Sequence, residues 1–471
     1  MSYMIAPAHP VDPPVFLQPR PLALYPGSFV LLPLLPKRPA LKPLPAELWS
    51  KVFTFVFMGE QGRKVDATER RRVMRSNWKI MFVCKRWMDI ALPLLYAHVF
   101  VFSRSSLQKL VSHLYNSDQK WDSIRRIPYS TPGRWVQSLD VSELTTVDAS
   151  DGFRIDSLLT VLFPLLPSLT HLILNPGTML SHRALNALRL KDGVEKLKTL
   201  KGLTFPPGER RALSPHAHGP VFELLQCCER LEDLELISTY DESHNAGTLD
   251  DYLGSAEAIP PLRFPNLHSL SLISIPFSAI LQIFLNSPCA SLRSLLLTPS
   301  TSPSSIVPLL TNLGSTLTSL HLSTPLHHLT PAPVPVQTNV PTPILTHLPT
   351  QITPLLTLTP SLQHLFLDFP LPTFLLPLLP PGSSHRNLKI LTIPRPNTGL
   401  LTEVETMSGL RGGDGLSGLK VVRMRSVRWL RKGVGGQALE AGYQGEMKRW
   451  RIRLGRRGVG VVDMDWKGPD V

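Results

Sequence analysis

Cysteine is scarce and unpatterned. Cys84, Cys227, Cys228 and Cys289 are the whole set, and no Cys-x-x-Cys spacing occurs. A secreted repeat domain would carry paired, regularly spaced cysteines, so reduced thiols in the cytoplasm or nucleus fit better. Cys227-Cys228 could close a strained vicinal disulfide, but the buried free thiol is the commoner state. Clean apolar runs are missing too. Residues 15–36 are the most apolar stretch near the start, yet Arg20 and Pro19, Pro21, Pro26, Pro33 and Pro36 interrupt them. No run of about 18 uninterrupted apolar residues exists, which excludes a spanning helix. Nor does a basic start precede an unbroken apolar core, as a signal peptide requires. The expectation is a disordered Pro-rich leader over 1–42 and no membrane association.

Catalytic signatures are equally thin. His327-His328 has no Glu in helical register, and His216-x-His218 lacks Cys or Asp neighbours, so neither reads as a metal site. Gly412-Gly413-x-Gly415 and Gly433-x-Gly435-Gly436 are not Gly-x-Gly-x-x-Gly, and no Lys-Ser/Thr step follows either. Turn-forming glycines explain them. No Gly-x-Ser-x-Gly elbow occurs. The expectation is a chain that is not an enzyme, with no catalytic residue, no metal and no cofactor.

What is abundant is leucine, proline and positive charge. The 471 residues exceed one ordinary core, so two or more domains or a solenoid are expected. Hydrophobic residues make up 43%, enough to bury a core, and the 47 prolines are about twice the usual share. Apolar segments punctuated by breakers, many times over, are the natural reading. A Leu-x-x-Leu-x-Leu ladder supplies them. Good copies start at Val136, Leu169, Leu231, Leu267, Leu292, Leu317, Leu362 and Leu388, and weaker ones at Leu200 and Leu419. The steps 267 to 292 and 292 to 317 are 25 residues each, the length of one strand plus a helical return. One unit cannot bury its leucines alone, so units stack and share a core. Ser157–Leu166, Ala279–Leu285 and Ile306–Leu313 read as return helices. The ladder predicts a solenoid over 130–425. A proline-rich insertion at 325–360 carries 9 prolines.

Ahead of the ladder, residues 43–101 read as helical. Pro45 suits a helix start. Leu48, Val52, Phe55 and Val56 fall on one face, and Trp49 and Phe53 widen it. Residues 59–77 form a charged insert, with Asp66 and Glu69 at capping-box spacing and Arg70-Arg71-Arg72 reading as a solvated face. A second helix is expected over 78–92, with Ile80, Val83, Cys84, Trp87 and Ala91 on one face and Pro93 as its stop. A strand-like run, Val99–Phe102, follows.

Leu44-Pro45-x-Glu47-Leu48, Val52-Phe53, Val83-Cys84-Lys85-Arg86-Trp87 and Ala91-x-Pro93-Leu94-Leu95-Tyr96 together resemble an F-box motif. With leucine-rich repeats after it, the chain is similar to fungal F-box/leucine-rich-repeat proteins. The resemblance implies a substrate receptor of a cullin–RING (SCF-type) ubiquitin ligase, whose F-box docks a Skp-type adaptor while the repeats hold a protein substrate. Leu44, Pro45 and Leu48 would be first-helix contacts, Val52 and Phe53 would support the same surface, and Val83, Cys84 and Trp87 would pack the second helix and complete it. Residues 59–77 depart from the family pattern by lengthening the link between the helices. The residues themselves point the same way: two short helices with apolar residues on several faces need a groove-like partner. The competing reading is that they cap the first repeat, although a cap should show a polar outer face.

The charge is +14, and twelve Lys/Arg against two Glu lie between Lys420 and Arg457, with Trp429 and Trp450 among them. Three readings of 426–471 follow: a solvated cap or tail, a patch for an acidic or phosphorylated substrate, and, last, a nucleic-acid surface. The fold expectation is thus α/β, a short helical F-box followed by an irregular solenoid. The alternatives are a non-ligase repeat scaffold and a nucleic-acid binder.

Overall fold

The computed structural model describes residues 44–58, 72, 77–119, 131–146, 148–205, 220–238, 262–273, 284, 287, 289–298, 306–322, 355–368, 383–408, 415–429 and 438–468. The leader, nearly all of the charged insert, His216, His218, His327, His328 and the 325–354 part of the proline-rich insertion lie outside them. So do Gly412, Gly413, Gly433, Gly435 and Gly436, and most of 279–285.

Among the described residues, twelve short strands form one parallel sheet in which spatial order equals chain order, so the sheet is open, with β1 and β12 as its edges. The strands are β1 (His98–Phe100), β2 (Ser138–Asp140), β3 (His171–Ile173), β4 (Thr199–Phe205), β5 (Asp233–Ser238) and β6 (Ser269–Ile273). They continue with β7 (Ser294–Leu297), β8 (Ser319–Leu322), β9 (His364–Leu367), β10 (Ile390–Ile393), β11 (Val421–Met424) and β12 (Gly460–Val462). Helices precede the sheet as α1 (Ala46–Met58) and α2 (Lys85–Ala97). Others return the chain between strands: α3 (Arg104–Gln119), α4 (Ala149–Leu162), α5 (His182–Arg189), α6 (Pro220–Cys227) and α7 (Ile306–Leu313). The last returns are α8 (Leu355–Leu358), α9 (Thr398–Ser408) and α10 (Ala438–Gly455). Helices lie between most successive strands, an α/β arrangement; among the described residues none lies between β5 and β6, β6 and β7, or β9 and β10.

The ladder explains the sheet. In the unit before β5, Leu231 sits in the turn while Leu234 and Leu236 point inward from the strand, each at 0 to 1% exposure. Register stacks the equivalent residues: Leu172 on Leu200, then Leu234, Leu270, Leu295, Leu320, Leu365 and Leu391. Each such side chain contributes about 1.5–3 kcal/mol by leaving water. The backbone is satisfied between units: the N–H groups of Glu232 and Asp233 both donate to the Lys198 carbonyl, and His268 and Ser269 both donate to that of Glu232.

All ten ladders become strands β2–β11, but four local expectations need correction. The Leu200 ladder is shifted by three residues. Leu200 pairs with Leu234 and Leu203 with Leu236, with a bulge between them, so the unit runs Leu197, Leu200, Leu203. Gly202 makes the bulge at φ 73°, where a Cβ would lie 2.2 Å from the Leu174 carbonyl oxygen. The second helix does not run over 78–92. A 3-10 turn (Lys79–Phe82) is followed by an extended Cys84, and α2 then passes through Pro93 to Ala97. Pro93 removes one helical hydrogen bond, but burial of Ala91 and Ala97 holds the helix together across it. The strand expected at Val99–Phe102 is His98–Phe100, already the first strand of the sheet, one unit before Val136. Residues 355–358, placed in the insertion, are α8, with Leu355 and Leu356 in the core. The segment 426–471, expected as a cap or tail, supplies α10 and β12, which pairs with β11 at the end of the sheet. The return side fares better: α7 matches Ile306–Leu313, and α4 with its 3-10 extension covers Ser157–Leu165.

Candidate functional site

The helix pair sorts the eight residues picked from the sequence into two groups. Phe53 and Trp87 face inward. Phe53 is 2% exposed, and its ring meets Trp87 edge-on at 5.2 Å and stacks on Trp49 at 5.6 Å. Trp49 and Trp87 are 4.6 Å apart. Each such aromatic pair adds about 0.5–1.5 kcal/mol beyond burial, so this cluster is the glue between α1 and α2. Arg86 ties the ends together by donating to the Leu44 carbonyl at 2.8 Å. Leu44, Pro45, Leu48 and Val52 face outward instead. Leu48 and Val52 sit at i and i+4 on one stripe of α1, and Leu44 lies two residues before that helix begins; all three are exposed. Val83 and Cys84 are exposed in the turn before α2 rather than on it.

Three further residues belong with the outward group. Phe55 is 78% exposed and Phe82 83%, and Val56 is exposed on the α1 stripe. The i+7 and i+8 spacing from Leu48 had put Phe55 and Val56 on that face. What the sequence hid was which face the Trp49–Phe53–Trp87 cluster would claim. Among the described residues, nothing covers this apolar surface.

The sheet presents a second surface, the outward-pointing strand positions. At its N-terminal part the groups are mixed in sign. His171 Nδ1 meets the Thr199 hydroxyl at 3.0 Å, which donates to Asp233 at 3.4 Å, and Lys198 pairs with Glu232 at 2.8 Å. The Lys198 hydrogen bond holds Glu232 below the usual carboxylate range, while burial pushes Glu235 up. Burial keeps His171 less basic than usual, and does the same to His98 with help from His171. At its C-terminal part, Asp368 bridges His321 at 2.9 Å and Arg425 at 3.0 Å, and Arg423 lies under the Trp466 ring.

No family model matches the chain, and no curated protein is significantly similar to it. The site therefore rests on its own geometry.

The cysteines are free thiols, Cys227 and Cys228 included. Burial pushes the Cys228 thiol up to about 12 and that of Cys289 to about 11, which keeps both protonated and inert. Among the described residues no three His, Cys, Asp or Glu converge on a metal-holding position, and no helix is long and apolar enough to cross a membrane. Of the two tryptophans considered for base stacking, Trp450 is 1% exposed on the inner side of α10, beside buried Met447 and Leu454. The Trp429 indole N–H donates to the Lys467 carbonyl at 3.0 Å.

Proposed function

We propose that the chain is the substrate-recognition subunit of a cullin–RING (SCF-type) ubiquitin ligase. The helix pair α1–α2 acts as an F-box that docks a Skp-type adaptor. The twelve strand-and-return units act as an irregular leucine-rich-repeat solenoid that holds the target. The chain performs no chemistry itself; ubiquitin transfer falls to other subunits, and the site of action is cytoplasmic, nuclear or both. One observation carries this reading. The pair has satisfied its own interior with Trp49, Phe53 and Trp87, and still leaves Leu44, Leu48, Val52, Phe55 and Val56 in water along one helix and just before it. An apolar stripe of this kind is what a helix-in-groove contact uses.

A second reading, a repeat scaffold whose helices merely cap the coil, has one observation in its favour. α2 leads directly into β1, and Tyr96 packs on Trp135 at 6.0 Å, so the pair does abut the sheet's first edge. A cap needs its inner face, not its outer one. Capture of a Skp-type adaptor by the full chain and by its Leu48→Asp/Val52→Asp variant separates the two. The ligase reading expects capture by the first and loss in the second; equal capture, or none by either, overturns it.

A further inference from the structure

The C-terminal end of the strand face has features that stacking leucines do not require. Trp466 adopts φ 62°, a left-handed conformation that a bulky side chain adopts only under constraint. The constraint is Asp463, 2% exposed. Its carboxylate accepts from the N–H groups of Asp465 at 3.0 Å, Lys467 at 2.8 Å and Trp429 at 3.1 Å. This knot holds the indole half in water, at 50% exposure, over the guanidinium of Arg423 at 4.5 Å. Arg423 gives one hydrogen bond to the Met464 carbonyl at 2.6 Å, and its Nε has no partner. Its register partner on β10, Thr392, is 2% exposed with an unpartnered hydroxyl. Two adjacent polar groups on one face therefore lack a mate.

The charge around them is mixed, with a small positive balance: Arg423, Arg425, Arg428 and Lys467 stand among Asp368, Asp463 and Asp465. Arg423 and Arg425 are alternate residues of β11 and its extension, so they point to the same face about 7 Å apart, the repeat of alternate side chains in an extended peptide. Asp368 is shared by Arg425 and His321, and Asp465 pairs with Arg428 at 3.3 Å. Beside them lie half-buried Ile390, Val421 and Phe366, an apolar floor.

We propose that this end of the strand face, built on Arg423, Arg425 and Trp466, holds the target by an extended segment that alternates acidic and apolar residues. The assignment rests on the receptor reading above and gives it a substrate class. A stacked guanidinium is held flat and ready for a carboxylate, which makes charge-assisted hydrogen bonds to it. A continuous phosphate backbone fits less well, because Asp368 interrupts the positive track.

The test is fluorescence anisotropy with the full chain and a labelled twelve-residue peptide of alternating Glu and Val. The same peptide with Lys for Glu, one with phosphoserine for Glu, and random-sequence DNA serve as comparisons. The Glu peptide should bind, weaken as salt rises, and lose about tenfold or more in affinity on Arg423→Ala and on Trp466→Gly. Trp466→Gly is the decisive variant, since glycine relaxes the left-handed backbone and keeps the fold. Lys448→Ala/Arg449→Ala, which removes exposed charge on α10, should bind as the parent does. Absent binding, equal binding by Trp466→Gly, or binding of only the phosphoserine peptide or DNA overturns the proposal. Adaptor capture by Trp466→Gly should be undiminished, so failure of this site and failure of the ligase reading give different results.

Discussion

Leu48 and Leu172 are the same side chain put to opposite uses. Leu172 in β3 is 0% exposed, stacked between Leu139 and Leu200 in a row repeated along the sheet. Leu48 in α1 is 46% exposed, on a stripe with Val52 and Val56. Both belong to periodic apolar patterns, one with period two and one with period near 3.6. The difference lies in what closes the pattern. The sheet closes its own, because each unit covers the next. The helix pair closes only the Trp49–Phe53–Trp87 side, and its other face is left for something else. An apolar repeat therefore marks a core where the chain supplies a neighbouring unit, and marks a contact surface where it does not.

The sharpest way to break this comparison is to remove leucines from both sides. Leu320, 0% exposed in β8, has stacked neighbours in Leu295 and Leu365. Leu320→Ala should lower the unfolding free energy by about 3 kcal/mol, from lost transfer plus the cavity left behind. Denaturant melts followed by circular dichroism measure it. A loss under about 1 kcal/mol would mean that the row relaxes around the gap and is not a close-packed core. Trp87→Ala should cost a similar amount but confine it to the helix pair, because the ring's aromatic contacts are with Trp49 and Phe53. Hydrogen exchange should then speed up in α1 and α2 and not in β6–β9.

The sheet was far more legible in the sequence than the helix pair, for a physical reason. Leu at positions 1, 4 and 6 can only stack, so ten ladders located ten strands, the degenerate pair at Leu200 and Leu419 among them. Three errors came from residues whose role depends on neighbours. Gly202 carries no apolar signal, yet its bulge adds one residue between Leu200 and Leu203, which hides the true unit that starts three residues earlier at Leu197. β1 was legible as a strand but not as a unit of the sheet, and β12 not at all, because each sets a single apolar residue, Val99 or Val461, against the row of its neighbour. In the helix pair, α1 carries apolar residues around much of its circumference, so periodicity could not say which stripe packs and which stays open. Trp87 and Phe53 decided that through a contact between segments 34 residues apart in sequence. The packing role expected of Trp87 fits its contact with Phe53, whereas Val83 and Cys84, expected to pack with it, are exposed. Arg423 lies in the basic stretch and Trp466 beyond it, between Asp465 and Lys467; their pairing needs the turn that Asp463 ties.

Lys191 inverts the comparison, since here a charge is inside and grease outside. It follows α5, is 4% exposed, and its Nζ reaches the carbonyls of Asp192 at 3.5 Å and Gly193 at 3.4 Å. Burial lowers its pKa to about 8 from an ordinary 10.5. The folded group thus gives up its proton near pH 8, while the unfolded one keeps it to about 10.5. Across that window unfolding takes up a proton, so stability rises with pH; below it the folded state bears the cost of a buried ammonium. Lys191→Met keeps the alkyl stem and removes the charge. It should raise stability at pH 7 by on the order of 2 kcal/mol, and erase the part of the rise between pH 8 and 10.5 that the parent owes to this group. Melts at pH 7, 9 and 10.5 check both; an unchanged pH profile would place the amine in water.

The smallest expected effect on stability is the most telling one. Leu48→Ser removes a leucine from the open stripe of α1, where no described residue covers it. The apolar area it hides on folding is modest, and serine gives up only about half a kcal/mol of helix propensity. The two together should move the melt by about 1 kcal/mol or somewhat more, well short of a core leucine. The same chemical loss at Leu172 would cost several times that. If Leu48→Ser instead destabilises the chain as a core leucine would, the stripe is already covered by another part of this molecule. The contrast between the two leucines would then vanish, and with it the reason to expect a partner at α1.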